Sequence, residues 1–134
     1  MKMQRFLRDR NGASAIEFAL LTPVFLLIVG AVINLGLMMW TQIGMEHATE
    51  AAARYASITA SPCPSASAVQ TYAGTQDYGL GLPSSTYVYA TVSCGYQVNA
   101  SYSYHMLGFG FPQFTTQLKA SACFPRPPMT VACS

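Results

Sequence analysis

One run of uncharged, mostly apolar residues constrains this chain more than anything else in it. Residues 18–40 read FALLTPVFLLIVGAVINLGLMMW, 23 residues without a charge. A helix that crosses a bilayer needs about 20 such residues, so the run is long enough to span with some tilt. Thr22 and Asn34 are its clearly polar side chains, and Pro23 sits early in it. Proline lacks a backbone donor and crowds the preceding turn, which predicts a kink near Thr22 and Pro23. Membrane helices tolerate this where neighbouring groups re-satisfy the backbone. Trp40 falls where the helix leaves the hydrocarbon, as an interfacial aromatic does. A cleaved secretory signal has an apolar core of about 7 to 15 residues and a small-x-small cut site. This run is longer, and it ends in Met38, Met39 and Trp40. A core helix buried on every side would need more surrounding chain than is present.

Charge orients the run. Four of the seven basic residues lie in the first ten positions (Lys2, Arg5, Arg8 and Arg10), and residues 46–134 are neutral. Positive residues stay on the cytoplasmic side, so the N-terminus is expected inside and the rest outside. Charged residues make up only 9% of the chain, against about 25% in ordinary soluble domains. A net charge of +2 gives no footprint for nucleic acid. The 8 tyrosines and 7 phenylalanines argue against disorder.

Just before the run stand Asn11-Gly12-Ala13-Ser14-Ala15-Ile16-Glu17-Phe18. A carboxylate at membrane depth costs on the order of 3 kcal/mol, less near the interface, and marks a function with a partner. The plainer reading is a glutamate that favours a helix N-terminus through the dipole. A basic leader, Gly12, Glu17 and a long apolar helix resemble the class III signal of type IV pilins. The string from Gly12 through Glu17, Phe18, Ala19, Leu20 and Pro23 to Phe25 is similar, more finely, to the TadE-like pseudopilins of tight-adherence (Flp-type) pili. The resemblance implies cleavage by a prepilin peptidase between Gly12 and Ala13, on the cytoplasmic side. It also implies that Glu17, fifth after the cut, pairs with the new Ala13 amine of a neighbouring subunit. Such a pairing sets register and selects against misassembly. Other pilins or pseudopilins, the inner-membrane assembly platform and the lipid bilayer are the remaining implied partners. The location implied is the bacterial inner membrane, crossed once, with a periplasmic body that reaches the exterior in a pilus. Major Flp pilins are much shorter, so the larger body points to a minor pilin or pseudopilin.

Residues 41–58 (TQIGMEHATEAAARYASI) continue the helix as a stalk. Met45, Ala48, Ala52 and Tyr55 recur at helical spacing, Glu50 and Arg54 form an i,i+4 pair, and three consecutive alanines favour helix. From Ala13 to Ile58 the helix would extend about 69 Å, more than twice the hydrocarbon thickness of about 30 Å. Ala48, Ala51, Ala52 and Ala56 offer a small face for a sheet or another helix. The helix should end before Ser61-Pro62.

The domains expected are a leader (1–12), a transmembrane helix (13–40), a stalk (41–58) and an exterior body (59–134). Within the body, residues 59–83 read as loop with a short helix over 65–72. Residues 86–93, 96–104 and 115–124 alternate as strands. In the first, Val88, Ala90 and Val92 share one face, and Tyr87, Tyr89 and Thr91 share the other. A three-residue turn over Cys94, Gly95 and Tyr96 pairs Val92 with Val98, Ala90 with Ala100 and Val88 with Tyr102. That places apolar opposite apolar and is preferred to a two-residue loop pairing Val92 with Gln97. The third strand places Leu118, Ala120, Ala122 and Phe124 on one side. The fold class expected is α+β: a long N-terminal helix packed with a small antiparallel sheet, on the pilin plan. Tyr87 and Tyr89 either pack the sheet on its helix or face a partner subunit or adhesion target.

A body this small has a thin core and wants staples. Cys63, Cys94, Cys123 and Cys133 all lie in it, and two disulfides in an oxidising compartment have three possible connectivities. Cys123–Cys133 and Cys63–Cys94 are preferred, because Cys123 points away from the apolar face and lies ten residues from Cys133 across Pro125-Arg126-Pro127-Pro128. The cysteines are unpaired in sequence, which disfavours zinc. No cofactor, metal site or catalytic set is expected. His47 and His105 lack a companion motif such as G-x-S-x-G, and no phosphate loop is present. The alternative function is an uncleaved, helix-anchored exterior binding protein.

Overall fold

The computed structural model describes residues 11–59, 64–106 and 114–126. One helix dominates it. α1 runs Asn11–Ile58 over 48 residues, about 72 Å at 1.5 Å per residue, and it continues through Pro23. The expected spine is therefore present as a single element, and Thr59 N still donates to Tyr55 O at its end.

The rest of the chain gathers on the C-terminal half of α1. α2 (Ala66–Thr75) begins where the Ser65 side chain accepts from Ala68 N, a side-chain cap on a free helical donor. It extends three residues past the expected end at 72. A single 3₁₀ turn, Ser84–Thr86, leads into β1 (Tyr87–Val92), β2 (Gly95–His105) and β3 (Thr115–Phe124). The sheet is antiparallel in the order β1-β2-β3. β2 and β3 lie on α1, while β1 packs on α2. The architecture is α+β, as expected.

The core joins Met45, Ala48, Ala52, Ala53 and Ala56 of α1 to Val69 and Ala73 of α2 and to Tyr87, Tyr96, Val98, Ala100, Leu118 and Ala120 of the sheet. Alanine on the helix leaves room for tyrosine on the sheet, so small and large side chains share one layer. The buried alanine face differs by one position from expectation. Ala53 is fully buried, and Ala51 lies at the edge. The expected inner side of β3 is observed, with Leu118 and Ala120 buried and Ala122 and Phe124 packed against the core.

The hairpin departs from expectation. Val92 pairs with Gly95, Tyr89 with Val98 and Tyr87 with Ala100, so Ser93 and Cys94 form a two-residue turn. Val98 thus meets Tyr89 rather than Val92, a slip of three residues. An odd slip exchanges the two faces of the strand. Tyr87 is 0% exposed and Tyr89 packs against the core, while Val88 is 54% exposed. Two aromatic rings bury more apolar area than the valine–alanine face would, and that outweighs aliphatic matching across the hairpin. The same fact settles the tyrosine alternative in favour of packing.

Gly95 makes the turn possible. Its φ is 133°, and a Cβ there would overlap the Phe124 carbonyl and the Pro125 Cα, so the end of β3 lies against it. That approach brings Cys94 beside Cys123, and the two form a disulfide with Cα atoms 6.5 Å apart. The preferred pairings of Cys123 with Cys133 and of Cys63 with Cys94 are therefore corrected. Cys123 does point away from the core, opposite Gln97, but its partner comes from the neighbouring turn. Cys63 and Cys133 lie outside the described residues.

Candidate functional site

The part of α1 that the body leaves bare carries the site. The helix from Ser14 onward contains an 18-residue window of mean hydropathy 2.5, of which 6% is buried. Ile16, Leu20, Leu21, Val24, Phe25 and Ile28 are all largely exposed, and Phe18 is 73% exposed. So much apolar surface around a whole helix requires an apolar medium or other helices to cover it.

Polar groups along this shaft are answered within it. The Thr22 hydroxyl donates to Phe18 O at 2.6 Å, Asn34 Nδ2 to Gly30 O at 3.0 Å and the Thr41 hydroxyl to Leu37 O at 2.9 Å. Each returns its hydrogen to the carbonyl four residues back, which removes the cost of leaving a donor bare in hydrocarbon.

Glu17 is the exception. It is exposed on the shaft, and among the described residues nothing donates a hydrogen bond to it or pairs with its charge. The first turn of α1 contains no acid. Glu17 lies six residues after Asn11 within the described helix. Gly12 is exposed, with nothing within 4 Å of the position a Cβ would take. Ala13 precedes Glu17 by four residues, about one helical turn.

The remaining candidates lie elsewhere. His47 is part-buried, with Nδ1 3.0 Å from Gln76 O, and His105 Nδ1 lies 3.2 Å from the Thr115 hydroxyl at the exposed end of the sheet. The Asp77 carboxylate accepts from Leu82 N at 2.9 Å. Among the described residues there is no group of three His, Cys, Asp or Glu side chains placed to hold a metal. Glu50 and Arg54 line one surface hollow between α1 and α2 together with His47, Tyr55 and Tyr72. Tyr87 is a polar group that the alternation alone does not reveal as unusual. Among the described residues its buried hydroxyl has no hydrogen-bond partner, and burial, then the nearby Asp77 charge, push it up to about 12.

An α+β protein built on one long helix, with a bare apolar shaft and a carboxylate near its start that is unanswered among the described residues, is the class these features define. Residues 12–54 match the model of the TadE-like protein family. The N-terminal segment, from Gly12 to Arg54, is thus TadE-like, and the match takes in Glu17, Pro23 and most of the stalk. No curated protein matches the chain, and no solved structure does.

Proposed function

We propose that the chain is a prepilin-like minor pilin or pseudopilin of a Tad/Flp-type pilus, a structural subunit that acts in pilus assembly and surface adherence. Residues 1–12 are its leader, 13–40 its transmembrane helix, 41–58 its stalk and 59–134 its exterior body. Prepilin peptidase removes the leader after Gly12. The observation that carries this reading is Glu17. Among the described residues it has no partner, it sits among exposed apolar side chains, and it is fifth after Gly12 within the TadE-like segment.

The chemistry follows from spacing. Cleavage would leave a protonated amine at Ala13, four residues before Glu17. A neighbouring copy shifted by about 6 Å along the axis, one helical turn, would bring its amine level with this carboxylate. In an apolar medium a hydrogen-bonded charge pair is strongly preferred to a lone carboxylate, and breaking it leaves an uncompensated charge. Pro23 bends the shaft to suit that packing. The body stands in the periplasm, or outside the cell in the pilus.

Co-expression with the cognate prepilin peptidase is expected to shorten the chain to begin at Ala13, read by intact mass. An unchanged mass would leave the helix-anchored exterior binding protein instead. Glu17→Ala is expected to abolish co-purification with other pilins while membrane insertion stays normal. Unaltered co-purification would count against the amine pairing.

A further inference from the structure

The body meets the shaft beside Trp40 through a loop that the proposed assembly chemistry does not use. The Tyr78 ring lies 6.1 Å from the Trp40 ring, centroid to centroid, and stacks on His47 at 4.5 Å. Tyr78 has φ 54°, the one described non-glycine residue with positive φ. A bulky residue is costly there and persists only where its surroundings over-determine it. They do. The buried Asp77 accepts from Leu82 N through its side chain and from Leu80 N through its carbonyl. Leu80 presses so closely on Gly44 that a Cβ there would meet Leu80 Cδ1 at 2.5 Å.

The effect of this clamp is to hold an aromatic ring outward. Tyr78, Trp40 and Ile43 are each 54% exposed. They form an uncharged patch continuous with the apolar run that ends at Trp40. Asp77, the one charge of the loop, is 2% exposed. Residues 18–40 rise about 33 Å in a helix, which matches a hydrocarbon core of about 30 Å and places Trp40 at its outer edge. Each interfacial layer beyond that core is about 5 to 8 Å deep. A ring 6.1 Å from Trp40 stays within or at the edge of that layer. Tyrosine and tryptophan are the residues that settle there, apolar body inward and polar tip in water.

We propose that the loop 77–82 is a second membrane-contacting element, a foot that rests Tyr78 in the lipid headgroup layer beside Trp40. With two contacts on different elements, the bilayer sets the tilt of the body as well as the depth of the helix. The contact is aromatic and uncharged, so anionic lipid and salt should not govern it. The inference rests on residues 18–40 spanning the membrane, and the experiment separates the two claims.

Trp40 is the single tryptophan of the chain, so the unsubstituted protein reports helix depth and a Trp40→Phe/Tyr78→Trp variant reports the loop. Both are reconstituted in phosphatidylcholine vesicles whose acyl chains are brominated near the carbonyl end. Trp40 emission is expected to be quenched, and the indole introduced at 78 should lose a comparable fraction. A Trp40→Phe/Ile58→Trp variant, with its indole near the far end of the stalk, should be unquenched. If Trp40 is quenched and the indole at 78 is not, the foot is overturned while the span stands. If Trp40 is itself unquenched, the span fails. Hydroxyl-radical footprinting of the unsubstituted chain in plain vesicles reads the same contact should the Tyr78 variant misfold. Tyr78 is expected to label more slowly than Ile58 despite its more reactive ring, and faster labelling would overturn the proposal.

Discussion

The two halves of α1 belong to one uninterrupted helix, yet they are held by different things. Before Trp40 the helix shows large apolar side chains on nearly every side, and only positions such as Gly30 and Asn34 are covered. After it, Met45, Ala48, Ala52, Ala53 and Ala56 are buried while Glu46, Glu50 and Arg54 face outward. The first half is apolar all round, the pattern of a helix whose solvent is lipid or other helices. The second is amphipathic and draws its stability from the body packed on it. Length and continuity therefore say little about how a helix is held. The width of its apolar face says more.

Several substitutions can break this comparison, and the largest effect belongs to the staple on the body. Cys94→Ala with Cys123→Ala removes a crosslink spanning 29 residues. The expected loss is about 3 to 4 kcal/mol, seen as an earlier denaturation midpoint of the body in detergent, with membrane insertion unaffected. An unchanged midpoint would mean that core packing alone holds the sheet. Nearly as large is a charge placed in the first half. Ile28→Lys is expected to cost about 3 kcal/mol of insertion, read as a larger uninserted fraction, whereas Glu50→Lys in the second half should insert normally.

Size gives a subtler contrast. Ala52→Leu overpacks the layer between helix and sheet and should destabilise the body by about 1 to 3 kcal/mol. Ala31→Leu, on the bare half, should leave the unfolding midpoint where it is. Equal effects at both positions would show that the two halves are not held differently.

The smallest effect sharpens the account of the core. Tyr87→Phe removes a buried hydroxyl that has no partner among the described residues and should stabilise the body by about 1 kcal/mol at neutral pH. It should also change the alkaline limb. The folded Tyr87 ionises near 12 and the unfolded one near its ordinary value of about 10. Between these values the unfolded chain releases a proton that the folded chain keeps. Stability from this group is whole below about pH 10 and falls by roughly 2 to 3 kcal/mol as pH rises through 12. The phenylalanine variant should show a shallower fall in denaturation midpoints taken across that range.

The cysteine framework illustrates how sequence and structure divide the work. Cys123 is readable as outward-facing, because strand alternation assigns the faces of β3 from Leu118, Ala120 and Phe124. Its partner is not readable, since that depends on which residues of β2 lie beside the end of β3. Tyr78 is a similar case. Gly79 and Gly81, which follow it, mark a turn, but nothing local says that the turn rests on Gly44 and beside Trp40.

What the sequence by itself determined is the long helix, the charge-free span with Glu17 at its entrance, the short helix that follows Ser65 and the inner face of β3. These depend on periodicity, charge and side-chain chemistry within a few neighbouring residues, and those are written along the chain. Tertiary structure alone decided the hairpin register, the Cys94–Cys123 crosslink, the burial of Tyr87 and the seat of Tyr78. Each of these turns on which distant surface a segment meets, and there the area buried against the helix outweighed the local match between strands.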